Sequence, residues 1–198
     1  MNNFTIKSFA PYSLNYLIYI QNAFISSKGE SRKFPSLDIV YLGLLEEGHF
    51  CDAFKKVWSD MIRLLSQNSL FDHNGVLENE MFQTLFKPND QGIAGYEESK
   101  RSFNAWFSSL TGQITIERAA DHMMYYEMDI YNRVSKMINN DENRSQELLI
   151  SLIYDECIMG ESERYSRHSI VSLQDLYFKK EDLVSNIVDR WNRGNRTL

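Results

Sequence analysis

Cysteine, proline and glycine are all scarce in this chain, and each shortage removes a class of protein. Only two cysteines, Cys51 and Cys157, occur in 198 residues. Two distant thiols make neither a disulfide framework nor a zinc ribbon, so both read as buried free cysteines. Three prolines and nine glycines impose few turns, while Leu, Met, Glu, Lys, Arg and Gln fill the long segments, which favours helix. Long hydrophobic runs are missing as well. Leu14 to Ile25 contains Asn15, Gln21 and Asn22 and is too short and too polar to span a bilayer. The opening MNNFTIKSFAPYS lacks the basic-then-apolar layout of a signal peptide. A cytoplasmic protein with no membrane partner is expected.

Positive charge is in short supply too. A net charge of -6 and a pI near 5.3, with neither half of the chain basic, argue against a surface devoted to nucleic acid or anionic lipid. Catalytic motifs are absent: there is no phosphate-binding glycine loop, no dinucleotide fingerprint and no serine in an esterase elbow. The histidines at 49, 73, 122 and 168 are scattered, and none pairs at the four-residue step of a helical zinc site. His49 and Cys51 have no second pair to complete a ligand set. His73 sits in a turn without the distal glutamate of a calcium loop.

What remains is a strong helical pattern. The stretch of about 114–138, ITIERAADHMMYYEMDIYNRVSKMI, carries Ile116, Ala120, Met123, Ile130, Val134 and Met137 at three- and four-residue steps without Gly or Pro. It predicts a long central helix on which the other segments pack. Residues 1 to 12 read as extended, ending at Pro11. A helix capped by Ser13 follows, with Leu14, Leu17, Ile18, Phe24 and Ile25 inward. A second helix is predicted from Ser36 to Glu47, ended or kinked by Gly48, and a third from Phe50 to Gln67 with Phe50, Phe54, Val57, Trp58, Met61, Leu64 and Leu65 on one stripe. A short helix over Leu77 to Phe86 stops before Pro88, and PNDQGIAG, residues 88 to 95, reads as a mobile loop. Tyr96 to Leu110 resumes helix, with Phe103, Trp106, Phe107 and Leu110 inward. Leu148, Leu149, Leu152 and Ile153 open another buried helix, ESERYSRHS reads as exposed, and Val171 to Trp191 holds the last helices. The expected fold is all-α: an irregular multi-helix bundle around the central helix, residues 1–198 forming a single helical domain, with sub-units 1–138 and 147–198. The second of these is expected to pack as a winged-helix-like C-terminal unit.

Glu127 falls on the apolar stripe of the central helix, where an unpaired carboxylate costs several kcal/mol. It therefore needs a partner. With His122, Asp129 and Asp121 nearby in sequence, it outlines one alternative, a metal-dependent enzyme; pairing with an Arg or Tyr of another helix is the structural explanation. At the other end, Arg190, Trp191 and Arg193 are free of neighbouring acids beyond Asp189. They suit a helix terminus, a phosphate or a partner protein, and a DNA-associated regulator is the second alternative. Tyr12, Tyr16 and Tyr19 leave aromatic side chains on several faces of the first helix, and with the C-terminal trio they form the candidate partner-binding set.

The order of an aromatic and apolar helix (Leu14 to Phe24), a polar loop ending Phe34-Pro35 and an apolar second helix (Leu37 to Leu45) resembles small middle components of bacterial three-component ABC-type systems, the Lamassu-like anti-phage operons among them. Glu46-Glu47 departs from that pattern, which has a proline-containing apolar turn there. The resemblance implies a non-catalytic helical subunit in antiviral defence, docking on an SMC-like ATPase and an effector such as a nuclease. The expected function is accordingly that of an accessory subunit or adaptor, not an enzyme, with no cofactor, bound to protein partners and meeting nucleic acid only indirectly or through its basic C-terminus.

Overall fold

A computed structural model describes residues 4–26, 34, 42–67, 72, 74–138, 146–160 and 167–195. The elements run β1 (Phe4–Phe9), α1 (Tyr12–Ser26), α2 (Glu47–Gln67), a 3-10 turn (Asn74–Glu78), α3 (Glu80–Gln83), α4 (Asp90–Phe107), α5 (Leu110–Ser135), β2 (Gln146–Ile153), β3 (His168–Ser172), α6 (Leu173–Phe178) and α7 (Lys180–Asn195). The chain divides into two compact units that interleave in sequence. One takes Met1–Pro11, Thr115–Glu156 and Ser162–Leu198; the other takes Tyr12–Ile114 and Cys157–Glu161.

The first unit corrects the all-α expectation. It contains a three-stranded sheet of order β1-β2-β3, parallel throughout, with Phe4 opposite Gln146 and Ile153 opposite Ser172 at the two ends of the ladders. The segment Leu148 to Ile153, predicted helical, is its central strand. The misreading has a plain cause. Every residue of β2 except Glu147 is buried, so the strand shows no inside–outside alternation, and a continuous apolar run reads equally as buried helix or buried parallel strand. His168, placed by the sequence in an exposed segment, is 1% exposed at the start of β3. A winged-helix unit is therefore not formed; β2 and β3 precede α6 and α7.

Leu148, Ile150 and Leu152 of β2 join Val171 of β3 and Phe4 of β1 in one apolar layer. Ala119, Met123, Ile130 and Val134 of α5 pack into it, and so do Leu183, Val184, Ile187, Val188 and Trp191 of α7. The ring of Trp191 meets the Phe4 ring edge-on at 5.2 Å, and the Arg167 guanidinium lies 5.8 Å from the indole centre. The predicted central helix exists but starts at Leu110, because Ser109 Oγ accepts the Gly112 N–H at 3.1 Å and caps it.

In the second unit α1 is buried on nearly every side, from Tyr12 to Asn22 without interruption. A helix this apolar all round has to be central. Tyr16 and Tyr19 combine ring packing with polar ends that are satisfied locally, on Ser99 and Ser102, whereas the Tyr12 hydroxyl is buried without a hydrogen-bond partner. Tyr12, Tyr16 and Tyr19 all lie within 5.0–5.5 Å of the Phe103 ring, Tyr16 donates to Ser99 Oγ at 2.7 Å, and the Ser99 hydroxyl in turn donates to the Tyr96 carbonyl. The N-terminus of α1 is capped from a distance: Asp72 accepts the N–H groups of Tyr12 and Ser13. Ser13 lies inside the helix and is not its cap.

Two predicted elements of this unit are also corrected. Leu42 to Glu46, expected to be helix, are not helical: Leu44 bridges Phe86, Leu45 N–H bonds to the Leu85 carbonyl, and Gly43 has φ +60. Residues 36–41 of that predicted helix lie outside the described residues. PNDQGIAG, expected to be a mobile loop, supplies the cap and first turns of α4, with Asn89 accepting the Gly92 N–H at 2.9 Å. Its glycines serve close approach: a Cβ on Gly95 would stand 1.8 Å from the Leu42 carbonyl oxygen. Elsewhere α2 carries the expected stripe except that Ile62 is fully buried and Leu64 only half-buried, whereas Leu110 is 74% exposed and does not face inward.

Burial pushes the Tyr12 phenol up to about 12, with the Asp72 carboxylate adding to the effect, and burial also raises Tyr16 and Tyr19. Below about pH 10 these phenols are protonated in both states, and their full contribution to stability is present. As pH rises from there through about 12, the unfolded chain ionises first, and stability is lost. Urea unfolding at about pH 9 and about pH 11.5 is expected to show a lower unfolding free energy at the higher pH, with part of the tyrosinate absorbance appearing only as the chain unfolds.

Candidate functional site

The helix α5 has three kinds of surface. Ala119, Met123, Ile130 and Val134 are fully buried and define the inner face. Glu127 sits at its margin, half-buried, and the Ser8 hydroxyl of β1 donates to its carboxylate. The partner demanded by the sequence argument is therefore a serine, not the expected Arg or Tyr. The stripe is also narrower than the sequence suggested, since Met137 is 48% exposed.

His122, Asp121 and Asp129 do not join Glu127. At about 100° per residue, Asp121 and Glu127 point about 120° apart around the axis. Asp129 holds Arg133 through two bonds of 3.0 and 2.9 Å, and Asp121 lies 4.0 Å from Arg118 on the surface. Among the described residues no group of three or more His, Cys, Asp or Glu could hold a metal ion. Of the four side chains of the enzyme alternative, Glu127 thus lies apart from the other three.

His122 instead stacks on Tyr177 of α6, with ring centres 5.0 Å apart and planes 25° from parallel. Tyr126 places its hydroxyl 3.4 Å from His122 Nε2. Tyr177 is held there by the way α6 begins. Ser172 Oγ accepts the Asp175 N–H at 3.0 Å and donates to the Asp175 carboxylate at 2.8 Å, while Lys179 pairs with the same carboxylate at 2.8 Å. Burial pushes the Asp175 carboxyl up, but the bonds from Lys179 and Ser172 outweigh it and leave the group below its usual range. Arg118, Asp121, His122, Met124 and Tyr125 of α5, with Tyr177, line an open groove of 640 Å³.

From the groove outward, α5 presents apolar side chains to solvent. Met124 is 66% exposed, Tyr125 79% and Met128 67%, and Phe178 at the end of α6 is 83% exposed. Scattered exposed hydrophobes are ordinary on a folded protein, whereas several adjoining ones on one face are less so. Met side chains suit such a surface because they repack readily.

The residues singled out as partner contacts lie elsewhere. Tyr16 is fully buried, Tyr19 1% exposed, Tyr12 6% and Trp191 1%, so these four serve core packing and are closed to a partner. Arg190 is half-buried and Arg193 exposed on α7. The sequence reasoning also passed over a buried pair on the sheet, Ser151 Oγ and His168 Nε2 at 2.7 Å. Both side chains are sealed from solvent, at 0% and 1% exposure, so no substrate reaches the serine.

If Glu127 is a paired structural carboxylate, Glu127→Gln keeps an acceptor for Ser8 and is expected to change the unfolding free energy by less than about 1 kcal/mol, whereas Glu127→Ala is expected to cost about 1–2 kcal/mol. Urea denaturation of the two variants measures the difference. Equal losses in both would assign the carboxylate's charge a role that the Ser8 bond does not explain.

Among the described residues no helix is long and apolar enough to cross a membrane. Compared with known proteins, the chain matches no family profile, no curated protein and no solved structure.

Proposed function

We propose that this chain is a non-catalytic accessory subunit that docks another protein on the outer surface of α5. The observation that carries the reading is the adjoining exposure of Met124, Tyr125 and Met128 on a helix whose inner face is already committed to the sheet. Leaving this much apolar surface in water is unfavourable by about 25 cal/mol per Å², and a docked partner recovers it. The residues of the metal-enzyme alternative diverge, and no observation favours that reading over the adaptor. For the larger assembly we retain the partners implied by the N-terminal resemblance, an SMC-like ATPase and an effector nuclease acting in the cytoplasm as antiviral defence.

Affinity purification from the native host tests both levels. A stoichiometric partner is expected with the unaltered chain and is expected to be lost in Met124→Asp/Met128→Asp, while circular dichroism and thermal unfolding stay unchanged because both side chains face solvent. Recovery of the chain alone would end the adaptor reading. A partner that is neither ATPase nor nuclease would end only the defence assignment.

A further inference from the structure

The outer surface of α5 is ordered as well as exposed. Glu117, Asp121, Met124, Met128 and Tyr131 follow one another at steps of four, three, four and three residues. All five are exposed: Asp121 at 68% of its side chain, Met124 at 66%, Met128 at 67%, Tyr131 at 37%, and Glu117 likewise on the surface. That alternation has the 3.5-residue period of a helix–helix seam, the spacing that keeps a row of side chains against a second helix crossing at about 20°. The seam is apolar along Met124, Met128 and Tyr131 and acidic at Glu117 and Asp121.

The charge order decides between occupants. A second copy laid parallel and in register would set Glu117 against Glu117 and Asp121 against Asp121, like charges at the centre of the contact. Laid antiparallel with Met124 against Met128, it would set Asp121 against Tyr131 and Glu117 against Ser135, and neither carboxylate would meet a cation. Arg118 is the nearest base on α5, and it stands 4.0 Å from Asp121, at the limit of an ion pair. Covering the seam without supplying positive charge would desolvate two carboxylates, an unfavourable exchange.

We infer that the seam receives an amphipathic helix of another protein, one whose apolar stripe covers Met124, Met128 and Tyr131 and whose Lys or Arg side chains meet Glu117 and Asp121. This rests on the adaptor reading of the same surface and adds the secondary structure and charge of the docking element. Such a helix lies along α5 with Tyr177 of α6, stacked on His122, to one side.

The test uses the full chain and two model helical peptides about three heptads long, each with a leucine seam. In one, the two seam positions opposite Glu117 and Asp121 are Lys; in the other they are Glu. Fluorescence anisotropy is expected to show the Lys peptide binding about tenfold or more tighter, with the preference reversed in the Glu117→Lys/Asp121→Lys chain and both peptides lost with Met128→Asp. Equal affinities, no reversal, no binding of either peptide, or binding indifferent to Met128→Asp would each overturn the inference. Host purification that still yields a stoichiometric partner would then leave the adaptor reading standing, so the two fail separately.

Discussion

The pairing of β1 with β2 is the constraint on which the rest of the molecule depends. Parallel strands cannot be joined by a tight turn, so two hydrogen-bonded neighbours must be separated by an excursion long enough to carry the chain back to the starting edge. Here the excursion covers residues 10–145 and contains the whole α1–α4 segment. The return leg is α5. Because that helix must lie on the sheet to deliver the chain to Gln146, its Ala119–Met123–Ile130–Val134 face is spent on the apolar layer. Its opposite face is left to solvent.

The two units are stabilised by different chemistry. The β-containing unit has an aliphatic layer of Leu, Ile and Val closed by Trp191 and Phe4. The helical unit is organised by aromatic rings on α1, two of whose hydroxyls, on Tyr16 and Tyr19, end on serines, with Asp72 closing the helix start. Lys100 belongs to the same pattern. Burial disfavours its charge, yet Glu97 and Glu78 at 2.8 and 3.0 Å outweigh that and raise its pKa. Tyr16, Tyr19 and Lys100 are thus admitted with partners in place, whereas the hydroxyls of Tyr12 and Ser13 are buried without one.

Functionally, the burial of the candidate contact residues and the exposure of unremarked ones exchange the roles of two helices. The tyrosines of α1, conspicuous in the sequence, are core. The methionines at 124 and 128, which the sequence reading left within a long helix, form the surface. The acidic stretch of the same seam meets no cation when α5 is laid in register against a second α5, and this is the physical reason for looking to a second, basic helix.

Period was enough to read most of α2 and α5 and the existence of α1 and α7 from the sequence, because amphipathic helices carry their own environment in their spacing; the cap predicted at Ser13 was not formed. The extended character of the first residues was legible too, through Pro11. Glu127 was legible only in part: its position on an apolar stripe demands a partner, but nothing local names Ser8, 119 residues away. What the tertiary structure alone decided was that LLISLI is a strand, that PNDQGIAG begins a helix and that Leu42 to Glu46 is not helical. Each depends on a neighbour distant in sequence: β1 and β3 on either side of β2, the Leu42 carbonyl against Gly95, and Phe86 beside Leu44. A residue buried on both faces, or a glycine keeping space for another backbone, has no periodic signature of its own, so only the assembled chain reveals what it is for.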